Sequence, residues 1–155
     1  MNERANFAVT LQVPRPHAGV PEAATIARWI NVLPVDGSTN YELTVRVVDV
    51  DEGRALNKKW RGVDKPTNVL SFPLTDEFLP HYLGDIVVCA PLVENEARAQ
   101  GKAVEAHWAH LIVHGVLHLL GYGHDEAEGA KNMEAVEREV LAEFGFPDPY
   151  LVLNT

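Results

Sequence analysis

Eleven residues constrain this chain more than any others: His114 to His124, H-G-V-L-H-L-L-G-Y-G-H. They close the apolar stretch Val104 to Leu120, which predicts a helix. Residues four apart on a helix differ by about 40° in direction and about 6 Å in height, so His114 and His118 face the same way and can share one ion. Gly121 can take the positive φ that stops a helix and turns the chain, bringing His124 back with a third imidazole. A lone histidine on an apolar helix is ordinarily a hydrogen-bonded core residue. Three around a glycine stop are costly to bury without a partner. Neutral imidazole is a favoured zinc ligand, and three protein ligands leave a fourth position for water, as in catalytic rather than structural sites. The expectation is one Zn2+ per chain held by His114, His118 and His124.

Other candidates are weaker. His107 and His110 lie on the same stripe at steps of three and four, where they serve either ordinary helix packing or hydrogen bonding behind a ligand. Asp125 is placed to support or cap the site. Cys89, the only cysteine, excludes an intramolecular disulfide and reads as a small core residue. The ligand spacing and the glycine match the metzincin protease pattern H-E-x-x-H-x-x-G-x-x-H, but the glutamate that serves there as general base is Gly115 here. The geometry for activating water is kept, and the protease's own base is not.

The remainder alternates strands and helices. Asn6 to Val13 reads as a strand, and Pro21 to Leu33 as a helix with Pro21 near its first turn and Ile26, Trp29, Ile30 and Leu33 on one stripe. Tyr41 to Val50 is a β-branched strand, followed by a short helix capped by Asp49 or Asp51 and running to about Trp60. Asn68 to Phe72 and Gly84 to Cys89 are further strands. Pro91 to Gln100, Val104 to Leu120 and Ala127 to Phe144 are helices, the last with Met133, Val136, Val140, Leu141 and Phe144 inward. The order β-α-β-α-β-β-α-α-α predicts an α+β (α/β-type) fold: one small mixed sheet of about four strands packed with about five helices. At 155 residues, with no linker or repeat, the whole chain 1–155 is expected to be one domain.

Charge is unevenly spread. The net is −9, yet Arg54 to Lys65 (RALNKKWRGVDK) carries +4, which leaves −13 on the rest. A polyanion is tolerated only at that segment, although a solvated helix end gives the same pattern. No apolar run approaches the roughly 20 residues of a membrane span. MNERANFAVTLQVPRP shows no leader-like pattern, and the expected compartment is the cytoplasm.

H-G-V-L-H-L-L-G-Y-G-H resembles the signature of the YbeY family, bacterial endoribonucleases of ribosomal RNA maturation. The likeness extends to R-G-V-D-K-P-T-N-V-L-S-F-P at Arg61 to Pro73, L-G-D-I-V-V-C at Leu83 to Cys89, A-H-W-A-H at Ala106 to His110 and G-F-P-D-P-Y at Gly145 to Tyr150. It spans roughly residues 40 to 150. One position departs: the family usually reads G-Y-D-H, and Gly123 supplies no carboxylate here, leaving Asp125 as the neighbouring acid. The resemblance implies a zinc-dependent, single-strand-specific endoribonuclease of 16S rRNA 3′-end maturation and ribosome quality control. It also implies zinc on His114, His118 and His124, Arg61 as the functional arginine, RNA as substrate, and the ribosome or its proteins as partners. Asn68 and Ser71, in T-N-V-L-S-F, either line the cleft or take a turn or strand-end role. Two other functions compete: a metalloprotease, and a non-catalytic zinc-binding module on the ribosome.

Overall fold

The computed structural model describes residues 6–35, 40–74, 76–122 and 127–150. Its elements are β1 (Asn6–Gln12), α1 (Ala23–Ile30), β2 (Asn40–Val48), α2 (Val50–Arg61), β3 (Val69–Pro73), β4 (Tyr82–Cys89), α3 (Ala90–Ala99), α4 (Val104–Leu119) and α5 (Ala127–Glu143). All nine fall in the order the sequence predicts, with small shifts at their ends. Pro21 lies outside α1, whose N-cap is Glu22. The strand expected to reach Val50 stops at Val48, because Asp49 caps α2 by accepting a hydrogen bond from the Glu52 amide at 2.8 Å. Gly62, with φ 73°, ends α2.

One four-stranded mixed sheet runs in the order β1-β2-β4-β3. β1 pairs parallel with β2 and β2 parallel with β4, while β3 lies antiparallel to β4 on the outer edge. The helices α1 and α2 supply the connections that the parallel pairs require. Pro73 ends β3 opposite Gly84, on an edge strand where the missing amide costs no central ladder bond.

Side chains alternate across the sheet and divide the core. Leu43, Val45, Val47, Ile86 and Val88 join the main cluster, with Ile26, Trp29 and Ile30 of α1, Trp108, Ile112 and Val116 of α4, and Met133, Val140 and Leu141 of α5. Their neighbours Val48, Leu70, Val87 and Cys89 form a smaller cluster on the opposite face, packed against Leu56 of α2. Cys89 is thus the buried core residue expected, and burial pushes its thiol pKa up.

The hairpin between β3 and β4 depends on Gly84. At φ 141°, a Cβ there would sit 2.2 Å from the Phe72 carbonyl oxygen. Both the backbone strain and the clash oppose any side chain. Gly84→Ala should therefore cost about 3 kcal/mol or more of stability, read as a drop in urea midpoint at unchanged m-value; a loss below about 1 kcal/mol would show that the hairpin relaxes freely.

Candidate metal centre and cleft

α4 is buried on nearly every side. From Ala106 to Leu119 only His110, His114 and His118 are not fully covered, each one turn above the last. The rest of the helix is apolar because α1, α5 and the sheet surround it, so this stripe is its single opening.

The stripe is organised from behind by Glu137 of α5, whose side chain is 0% exposed. One carboxylate oxygen accepts from His114 Nδ1 at 2.7 Å, and the other from His110 Nε2 at 2.9 Å and from the Tyr150 hydroxyl. Burial drives the Glu137 carboxyl pKa up, but the bonds from His110, His114 and Tyr150 outweigh it and bring the carboxyl down to about 2. Burial and the Glu137 carboxylate together push the Tyr150 hydroxyl beyond the ordinary tyrosine range. Arg138 lies over the Tyr150 ring, 5.2 Å from its centroid, and pairs with Asp148 at 3.2 Å, fixing the segment that carries the tyrosine.

With Nδ1 committed to Glu137, His114 presents Nε2, which lies 3.0 Å from His118 Nε2. Two imidazole nitrogens on a tetrahedral ion with bonds of about 2.0–2.1 Å sit about 3.3 Å apart. The donor set therefore fits a divalent metal, and carboxylate–imidazole pairing is the usual means of orienting such a ligand. His110, His114 and Glu137 also offer ligand atoms within 4.8 Å of one another, a second way to hold an ion. Because three donors already occupy the Glu137 oxygens, we read that carboxylate as the anchor of the imidazoles.

His114 and His118 open into a cleft of about 630 Å³, the size of a small-ligand site. Its walls are the C-terminal end of α2, with Trp60 and Arg61, the edge strand β3, and α4. Asn68 and Ser71 line it, with Asn68 just before β3 and Ser71 within it, so the cleft and strand placements hold together. Asn68 donates to Glu96 at 3.0 Å, and the same carboxylate oxygen meets His107 Nε2 at 2.9 Å. His107 is thus a packing residue whose burial, only partly offset by Glu96, pushes its pKa down. His110 does the supporting work foreseen as one alternative, through Glu137. Arg54 pairs with Asp64 at 2.7 Å and Lys58 approaches the same carboxylate at 4.0 Å, whereas Arg61 pairs with no carboxylate among the described residues. Gly121 has the expected positive φ, 99°. His124, Gly123 and Asp125 lie outside the described residues.

Sequence reasoning missed Glu137 and Tyr150. The signal was present: Glu137 falls four residues after Met133 and four before Leu141, on the buried stripe of α5, where an acid is out of place without partners.

Residues 22–145 match the family model described as Endoribonuclease YbeY. The chain belongs to the YbeY family. That YbeY match takes in Trp60, Arg61, β3 and the histidine stripe, hence every wall of the cleft. A protein of Stutzerimonas stutzeri named Endoribonuclease YbeY is 56% identical over 133 residues, covering 84% of this chain and 83% of its own. Another of that name, from Stenotrophomonas maltophilia, is 48% identical over 153 residues, covering 95% and 94%. The solution structure of TM1509 from Thermotoga maritima aligns with a TM-score of 0.51 at 25% identity, over 92% of this chain and 100% of that one.

Two measurements test the anchor. Glu137→Gln should weaken metal binding roughly 10–100-fold in competition with a chelator. The carboxyl lies at about 2 in the fold against an ordinary 4.5, so its stabilisation is complete above pH 4.5 and lost as pH falls towards 2. The variant should accordingly show a flatter acid limb of stability across that window. Unchanged metal affinity would remove Glu137 from the site.

Proposed function

We propose that this protein is a zinc-dependent endoribonuclease that cleaves single-stranded RNA, acting in 16S rRNA 3′-end maturation and ribosome quality control. It works in the cytoplasm on RNA presented with the ribosome or ribosomal proteins. One observation carries the chemistry: the cleft gathers two converging imidazoles and Arg61, a cation from the basic segment left unpaired by carboxylates among the described residues. The proposed zinc ligands are His114, His118 and His124.

A bound zinc ion supplies Lewis acidity, polarising a phosphoryl oxygen and lowering the pKa of water. The protein's own groups do the rest. Glu137 holds the His114 ring in the tautomer that leaves Nε2 free for the metal. Arg61 gives charge-assisted, often bidentate hydrogen bonds to the phosphate. Its attraction grows as charge builds on the phosphate, so it belongs to the transition state more than to binding. The −13 remainder of the chain repels RNA elsewhere and leaves the α2 end as the approach.

The protease alternative meets a steric obstacle. A Cβ at Gly115 would lie 3.1 Å from Ile86 Cδ1 and 3.2 Å from Ser71 Oγ. α4 rides close to β3 and β4 here, so any side chain at this position requires Ile86 and Ser71 to give way by a few tenths of an ångström.

Purified protein should carry about one zinc per chain, lost in His114→Ala, His118→Ala or His124→Ala and on acidification, since protons compete for the same nitrogens. RNA cleavage should vanish with His118→Ala. Arg61→Ala should keep its zinc but lose roughly 10²–10³-fold in kcat; wild-type turnover at saturating RNA would reduce Arg61 to a structural residue. The wild type should show no chelator-sensitive peptidase activity. Finding one, abolished by His118→Ala, would overturn the ribonuclease assignment.

A further inference from the structure

Three tryptophans divide sharply by exposure: Trp29 at 2%, Trp108 at 1%, and Trp60 at 59%. The two buried ones are core residues. Trp60 leaves a large apolar ring in water, beside the cleft.

α2 explains the placement. Gly53, Asn57 and Trp60 follow at steps of four and three on one helix face, and the first two are buried. Trp60 continues that stripe into the last turn, where its ring makes an edge-to-face contact with Phe72, with centroids 6.0 Å apart and planes at 64°. The ring lines the cleft of His114, His118 and Arg61, and also a neighbouring cavity bounded by Thr44, Arg46 and Tyr82, so it stands as a wall between them. Lys59 sets its ammonium 5.0 Å from the ring centroid, and Arg61 follows in sequence. An exposed aromatic ring with one cation over it and a second cation in the same cleft is the combination that holds single-stranded nucleic acid, with phosphates on the cations and a base on the ring's open face.

We propose that Trp60 is a nucleobase subsite: an unpaired base of the bound strand stacks on the indole while an adjoining phosphate is held at Arg61. The proposal rests on the endoribonuclease reading and adds a physical source for strand preference. Within a duplex both faces of each internal base are covered by its stacked neighbours, so away from strand ends only an unpaired base can lie on the ring. Every base has a π-face, so the subsite tolerates any sequence.

The native protein carries its own probe, because Trp60 is the one tryptophan open to solvent. Zinc-loaded wild type is mixed in a stopped-flow fluorimeter with an unstructured oligoadenylate, with an RNA duplex, and with inorganic polyphosphate as a base-free polyanion. The single strand should quench the emission, and the duplex and polyphosphate should not. Trp60→Ala should raise KM for single-stranded RNA roughly 5- to 100-fold, with zinc content and the salt dependence of binding unchanged. Trp60→Tyr should recover most of the loss. Equal quenching by polyphosphate, unaltered emission at saturating oligoadenylate, or an unchanged KM in Trp60→Ala would each overturn the subsite. Absence of any RNA cleavage by the wild type would instead overturn the endoribonuclease reading; the quench, which needs no turnover, still decides the subsite.

Discussion

An ionised carboxylate with no solvent contact is a severe constraint, and Glu137 imposes it on the whole right-hand half of the sequence. Taking such a charge out of water costs several kcal/mol unless donors surround it. Here the donors come from α4, twice, and from the segment after α5. Those three pieces must therefore meet at one point, which sets the register of α5 on α4 and pulls Tyr150 inward. The carboxylate adds this polar constraint to the apolar packing of Met133, Val140 and Leu141.

Local pattern carried the secondary structure because nearly every element has its own signal: period-two strands, prolines and glycines at ends, Asp49 as a cap. The sheet order was not readable, since which strand lies beside which depends on crossovers rather than on composition. His114 and His118 were readable because a four-residue step on a helix is a spatial statement in itself. Glu137 was missed for the opposite reason. Its meaning lies in partners 23 and 27 residues away, and in isolation it is one more acid on a charged helix. Arg61 stood between: the basic segment was visible, but only the structure separates Arg54 and Lys58, drawn to Asp64, from the arginine left facing the cleft.

The comparison with the metzincin pattern shows how little a ligand spacing decides. Two histidines a turn apart followed by a glycine stop suit several chemistries. In this chain the helix that carries the histidines lies close against the sheet. Ile86 and Ser71 press against the backbone at Gly115, so the position that carries a base in those proteases here serves packing. The same closeness brings β3 alongside the histidines and makes that strand a wall of the cleft.

The hydrogen bonds to Glu137 also impose an order in time. Translation produces Arg61 first, then the histidine stripe, and only 23 residues after His114 the carboxylate that orients it. Tyr150, which completes the set of donors, follows later still. A growing chain thus holds the histidine stripe before it holds the carboxylate that orients His110 and His114. The histidines therefore reach their final orientation only once α5 and the segment carrying Tyr150 have docked on α4.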